Sequence, residues 1–125
     1  MSLLVDGNNV IGTRPDGWWR DRPGATRRLV DRLGAWADGA DEDVLVVFDG
    51  APIDDLAPPH GVDVRFAPRR GPNAADDVIA DLVAAAADPA SVRVVTSDAG
   101  LAGRVRARGA AVSGARAFRD ELDRA

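Results

Sequence analysis

The most apolar short runs of this chain end on aspartates. Leu3-Leu4-Val5 ends at Asp6, the run 44–48 ends at Asp49, and the run 92–97 ends at Asp98, while Asp76-Asp77 opens the helical stretch 78–87. Short β-branched runs bounded by turn residues read as strands buried on both faces, the pattern of a parallel sheet. Parallel strands share one carboxyl edge, and open α/β sheets bind ligands in the crevice outside that edge. Several carboxylates are therefore expected in one place. Two of them ~4 Å apart repel by ~4 kcal/mol at an effective dielectric of ~20, so such a cluster calls for a cation, and oxygen donors suit Mg²⁺ or Mn²⁺.

The rest of the chain fills in around these strands. Residues 3–6 are a first strand, followed by a glycine- and asparagine-rich turn at Gly7-Asn8-Asn9. Residues 13–22 form a loop carrying Trp18 and Trp19, and a helix is expected over 24–37, with Leu29, Val30, Leu33 and Trp36 at helical spacing and Gly39 as its stop. The second strand is 44–48. Val62-Asp63-Val64-Arg65-Phe66 alternates, which suits a strand nearer an edge than the centre. Residues 67–73 are a loop, 74–87 a helix, 92–97 a strand, 99–108 a helix, 110–113 a short strand and 115–123 a last helix. Strands alternating with helices give a parallel sheet with right-handed crossovers in a single three-layer α/β domain spanning 1–125.

Composition removes several alternatives. The chain has 125 residues, no cysteine and the single histidine His60, which excludes disulfides and thiolate metal sites and disfavours zinc. All 16 basic residues are arginine. The net charge of −4 argues against indiscriminate nucleic-acid binding, yet residues 99–119 hold Arg104, Arg106, Arg108, Arg116 and Arg119 with no acid, and Arg65, Arg69 and Arg70 form a second basic group. A phosphate chain could meet a positive rim around an acidic floor; equally, Arg104 and Arg108 could sit on a solvated helix face. No run is long enough for a membrane span and the start lacks the features of a secretory signal. A cytoplasmic protein is expected.

Each acid also has a plain structural role open to it. Asp6 could bond nearby backbone in its turn, Asp98 could cap the helix 99–108, and Asp76 or Asp77 could favour a helix N-terminus through its dipole. Their arrival on one sheet edge is what favours function. Trp18 or Trp19 could stack a base, or one of the pair could simply cover the sheet edge, whereas Trp36 belongs in the core.

The ordered set Leu4-Val5-Asp6-Gly7-Asn8-Asn9-Val10-Ile11, Val46-Val47-Phe48-Asp49-Gly50, Ala75-Asp76-Asp77-Val78-Ile79 and Val95-Thr96-Ser97-Asp98 resembles the motifs of the NYN group of PIN-like nucleases, in the branch of YacP-like ribonucleases. The tail from Arg108 to Leu122 is similar to that branch's last strand and helix. The resemblance implies a Rossmann-like (PIN-like) fold with a mainly parallel sheet of about five strands and metal-dependent cleavage of RNA. By position it assigns metal-binding, catalytic carboxylates to Asp6, Asp76 and Asp98, with Asp49 and Asp77 as further candidates for the metal. Asn9 and Ser97 would orient water or a carboxylate from behind. Asn8 departs from the pattern, which commonly has an aromatic residue there. Arg69, Arg70, Arg104 and Trp18 are the candidate contacts to RNA, expected to be single-stranded, with the ribosome as one possible setting.

Competing α/β readings fail on particular residues. A phospho-receiver needs a late lysine and there is none. A dehalogenase-type phosphatase needs a second acid two residues after Asp6, where Asn8 stands, and a dinucleotide-binding domain needs a Gly-x-Gly-x-x-Gly turn after the first strand. Two classes remain: a metal-dependent ribonuclease, and an RNA-binding domain of the same fold with little or no catalysis.

Overall fold

In the computed structural model, which describes residues 2–67 and 74–124, five strands form a single sheet. They are β1 (Ser2–Asp6), β2 (Asp43–Phe48), β3 (Val62–Phe66), β4 (Val92–Val95) and β5 (Ala111–Ser113), in the order β3-β2-β1-β4-β5. Every pairing is parallel, including Val5 with both Val46 and Val95. The expected mainly parallel sheet is thus parallel throughout. The helices are α1 (Gly7–Ile11), α2 (Arg22–Ala40), α3 (Ala74–Ala85), α4 (Ala99–Arg106) and α5 (Ala115–Arg124).

Period-two alternation sorts the strand side chains into two apolar layers. Leu3, Val5, Val44, Val46 and Phe48 pack with Val10, Leu29, Leu33, Trp36, Phe118 and Leu122 from α1, α2 and α5. Leu4, Val47 and Val94 pack on the other face with Ile79 and Val83 of α3 and Leu101 and Val105 of α4. Burial of β1 between two helical layers explains why Leu3, Leu4 and Val5 carry no polar alternation. β3 lies at the sheet edge, and its exposed Asp63 and Arg65 account for the alternation in its sequence.

Local chemistry sets the helix ends. The Asp21 carboxylate accepts from the Gly24 N–H at 3.0 Å and Pro23 stands in the first turn, so α2 begins at Arg22, before the expected 24. Its end also differs: the helix runs through Gly39 to Ala40 and stops at Asp41, which takes the left-handed conformation at φ 53°. The turn expected at 7–9 is the short helix α1. It can close down on the sheet because residue 7 is glycine; a Cβ there would lie 2.3 Å from the Phe48 ring. Trp36 is buried, edge-on to Phe118, with its indole N–H donating to Glu121.

Gly7→Ala should therefore force a buried ring to move and destabilise the fold by ~1–3 kcal/mol. Gly39→Ala, where nothing lies within 4 Å, should stabilise α2 by up to ~1 kcal/mol. Urea unfolding of the two variants beside the parent checks both signs.

Candidate active site

The strand order reverses direction between β1 and β4, since the chain runs outward from β1 to β2 and β3 and then returns to β4 on the other side. Ligand crevices of open α/β sheets lie at such a switch point, outside the carboxyl ends. Asp6 ends β1, Asp49 follows β2, and Thr96, Ser97 and Asp98 follow β4. These three adjacent strands deliver their acids to one edge, and α3 brings Asp76 and Asp77 to it in its first turn.

Asp6 is the deepest of the set, 5% exposed. The Thr96 hydroxyl donates to its Oδ2 at 3.0 Å, and the Asn9 backbone N–H donates to the same carboxylate. Those bonds favour the ionised form, but burial outweighs them, and with the charges of Asp76 and Asp49 it pushes the Asp6 carboxyl up to about 6. Asp76 is also raised, first by burial and then by Asp98, Asp49 and Asp77, while Arg104 pulls it down. Four carboxylates, Asp6, Asp49, Asp76 and Asp98, thus act on one another across the crevice.

The remaining contacts show how each acid is held. The Asp49 Oδ1 accepts from the Ala75 N–H at 2.9 Å, tying the end of β2 to the start of α3. Asp98 does cap α4: its Oδ1 accepts from the Leu101 N–H at 2.9 Å. A capping carboxylate still has a second oxygen, so this role and a ligand role are compatible. Asp77 turns outward to Arg104, 3.0 Å away, and that half-exposed pair holds Arg104 beside the acids.

Asn9 and Ser97 form a bracket behind the carboxylates. The Asn9 Oδ1 accepts from the Ser97 N–H at 2.7 Å, and the Ser97 Oγ accepts from the Ala115 N–H at the start of α5. Two residues with direct roles were missed by sequence reasoning. Thr96, given no role there, touches Asp6 and also accepts from the Asp98 N–H at 3.1 Å, so one hydroxyl links the first and last acids. Asn8 accepts from the Asp49 N–H at 2.8 Å and so fixes the turn after β2. A polar residue closing an otherwise apolar strand was the available signal for Thr96. Trp18 is partly buried against the core and carries the Arg22 guanidinium over its ring at 5.3 Å, whereas Trp19 is 49% exposed. Arg69 and Arg70 lie outside the described residues.

All four carboxylates offer oxygen, and the Arg104 charge offsets part of their effect on Asp76. Among the described residues no three acidic or histidine side chains converge closely enough to share an ion in these conformations. Asp49 and Asp98 each have one oxygen on a backbone N–H, so rotation about the side chain that keeps those bonds is what would bring the second oxygens inward. The donor chemistry fits Mg²⁺ or Mn²⁺.

Known proteins share this fold. A crystal structure of Rae1 (YacP) from Bacillus subtilis is 28% identical, with a TM-score of 0.83 over 99% of this chain and 74% of that one. A point mutant of the same protein gives 27% identity and a TM-score of 0.80, over 99% and 75%. No curated protein sequence gives a significant match. The family model described as the YacP-like NYN domain matches residues 3–125. With that model covering nearly the whole chain and the same fold in Rae1, the protein belongs to the YacP-like NYN family of PIN-like nuclease domains.

Proposed function

We propose that the domain is a metal-dependent endoribonuclease that hydrolyses phosphodiester bonds of single-stranded RNA at the carboxyl edge of its sheet. The observation that carries this reading is Asp6: a carboxylate 5% exposed, raised to about 6 by burial and by two neighbouring acids. Such a group is costly to keep ionised without a cation. Family membership supports the same conclusion. Asp6, Asp76 and Asp98, with Asp49 beside them, would hold Mg²⁺ or Mn²⁺; Asp77 is engaged by Arg104. The bound ion would lower the pKa of a water and offset charge building on the phosphate.

The chain's own residues supply the rest. Thr96 and the Asn9 N–H fix the Asp6 carboxylate, and the Asn9–Ser97 bond ties α1 to the loop after β4. Asp76 lies among the charges of Asp98, Asp49 and Asp77, where it would share the ion with Asp6. Arg104 can meet a phosphate flanking the scissile one, and Arg69 and Arg70 are assigned the same role from the sequence alone. This reading expects a cytoplasmic protein, and the ribosome is one place where it could meet RNA. The second reading, RNA binding without cleavage, draws on the commitment of Asp49 and Asp98 to backbone donors.

Three outcomes test the proposal. Cleavage of single-stranded RNA in Mn²⁺ should be abolished by EDTA and fall at least ~100-fold in Asp98→Asn while RNA binding persists; undiminished cleavage by that variant would assign the activity to a contaminant, and no cleavage by the parent would favour binding alone. Mn²⁺ at ~100 times its Kd should stabilise the parent by ~2.7 kcal/mol, and Asp6→Asn should blunt the rise in Tm; an equal response in both would remove the site.

The third outcome concerns pH in the metal-free protein. The Asp6 carboxyl titrates at about 6 when folded, against an ordinary value of 3.8. Between these values the folded state keeps a proton that the unfolded state has lost, so stability falls as pH rises from about 4 to 6 and then levels off, a cost of up to ~3 kcal/mol. Asp6→Asn should flatten that fall in urea titrations run with EDTA.

A further inference from the structure

A cavity of about 260 Å³ opens beside Asp49, on the β2–β3 side of the acidic edge, and the reaction as described makes no use of it. Its walls include Trp18, Phe66, Ile11 and Ile53, and Asn8, Asp49 and Arg22 bring polar groups to it. Trp18 and Phe66 are each only partly buried, so both contribute aromatic surface that the core does not fully cover. This differs from an ordinary surface dent in composition: flat aromatic walls, one amide, one carboxylate, one guanidinium and the Thr26 hydroxyl.

Each polar group has a defined state. The Asn8 Oδ1 is committed to the Asp49 N–H at 2.8 Å. That bond fixes the amide orientation and leaves the Nδ2 hydrogens as donors. Asp49 is an acceptor that belongs to both the cavity and the acidic edge. Arg22, over the Trp18 ring at 5.3 Å, places a positive charge at the aromatic wall. An unpaired base needs just these features: a π-face to stack on, a donor and an acceptor for its edge, and a cation for its phosphate. Size agrees, since an apolar cavity of roughly 150 Å³ accommodates a benzene ring.

We infer that this cavity binds one unpaired nucleobase of the RNA strand, belonging to a nucleotide next to the phosphate at the acidic edge, with Trp18 as the stacking surface and Asn8 and Asp49 reading the base edge. The inference rests on the endoribonuclease reading for the position of that phosphate, but the cavity's affinity for a base is a property of its own. It implies sequence preference at a single position and a requirement for single strands, because a paired base cannot enter.

The test uses the full chain in EDTA, where cleavage is silent. Calorimetric titration with the four nucleoside 5′-monophosphates should show at least one binding about tenfold or more tighter than ribose 5-phosphate, which has the phosphate but no base. Ala51→Leu, which narrows the cavity from its exposed lip, should remove that margin, and so should Trp18→Leu, while Trp18→Phe should retain most of it. Circular dichroism and melting curves confirm that each variant is folded.

Equal binding of nucleotides and ribose 5-phosphate, or indifference to all three substitutions in folded protein, overturns the base pocket and leaves the nuclease reading standing. A base-dependent margin in a protein that cleaves no RNA under any metal upholds the pocket and overturns the nuclease reading. Concentration-dependent self-association that is abolished by Ala51→Leu, without nucleotide binding, would assign the cavity to a second copy of the chain and overturn the proposal.

Discussion

A carboxylate closes the central strand, directly after three buried hydrocarbon side chains. Asp6 follows Leu3, Leu4 and Val5, which are buried on both sheet faces, and it inherits their depth. The surroundings are arranged to hold that group in place. The Thr96 hydroxyl reaches it from the loop after β4 and the Asn9 N–H from α1. Gly7 lets α1 close over the Phe48 ring, which places Asn9. The Asn9–Ser97 bond then couples α1 to the loop after β4 at the switch point. The apolar strands thus set the depth of the carboxylate, the short helix sets its partners, and both follow from the same parallel topology.

Much of this was legible in the sequence because it is local. The apolar runs and their terminal aspartates point to the strands and to the parallel edge where Asp6, Asp49 and Asp98 follow them, and the alternation of β3 matches its place at the sheet edge. What escaped depends on partners distant in sequence. Asn8 holds Asp49 across 41 positions, and Thr96 holds Asp6 across 90. Neither residue type carries a periodic signature. The turn at 7–9 became helix α1 because Val10 and Ile11 find buried positions on the sheet, a tertiary gain that overrides the glycine and asparagine propensities.

The charge pattern shows a different limit. Residues 99–119 contain arginines and no acid, which suggested a local positive rim or, equally, a solvated helix face. In space the acids come from elsewhere: Asp77 of α3 pairs with Arg104, and Asp16 and Asp123 flank Arg119. Arg119 therefore belongs to a salt-linked surface with α5, and Arg104 to the acidic edge itself. The useful positive charge near the crevice is local, with Arg22 on the aromatic side and Arg104 on the α3–α4 side. Exposed pairs of this kind contribute little stability, typically 0–1 kcal/mol, so Arg104 can exchange Asp77 for a phosphate at small cost.

The central claim is that the acids at the carboxyl edge form one cation site. Anomalous diffraction from crystals soaked in Mn²⁺ tests it most directly, since the signal locates the ion without reference to activity. The account predicts a peak within ~2.0–2.3 Å of oxygens from Asp6 and from at least one of Asp76, Asp98 and Asp49, with those side chains rotated inward. No peak at that edge at saturating Mn²⁺, or a peak elsewhere on the molecule with the four carboxylates unmoved, would contradict it.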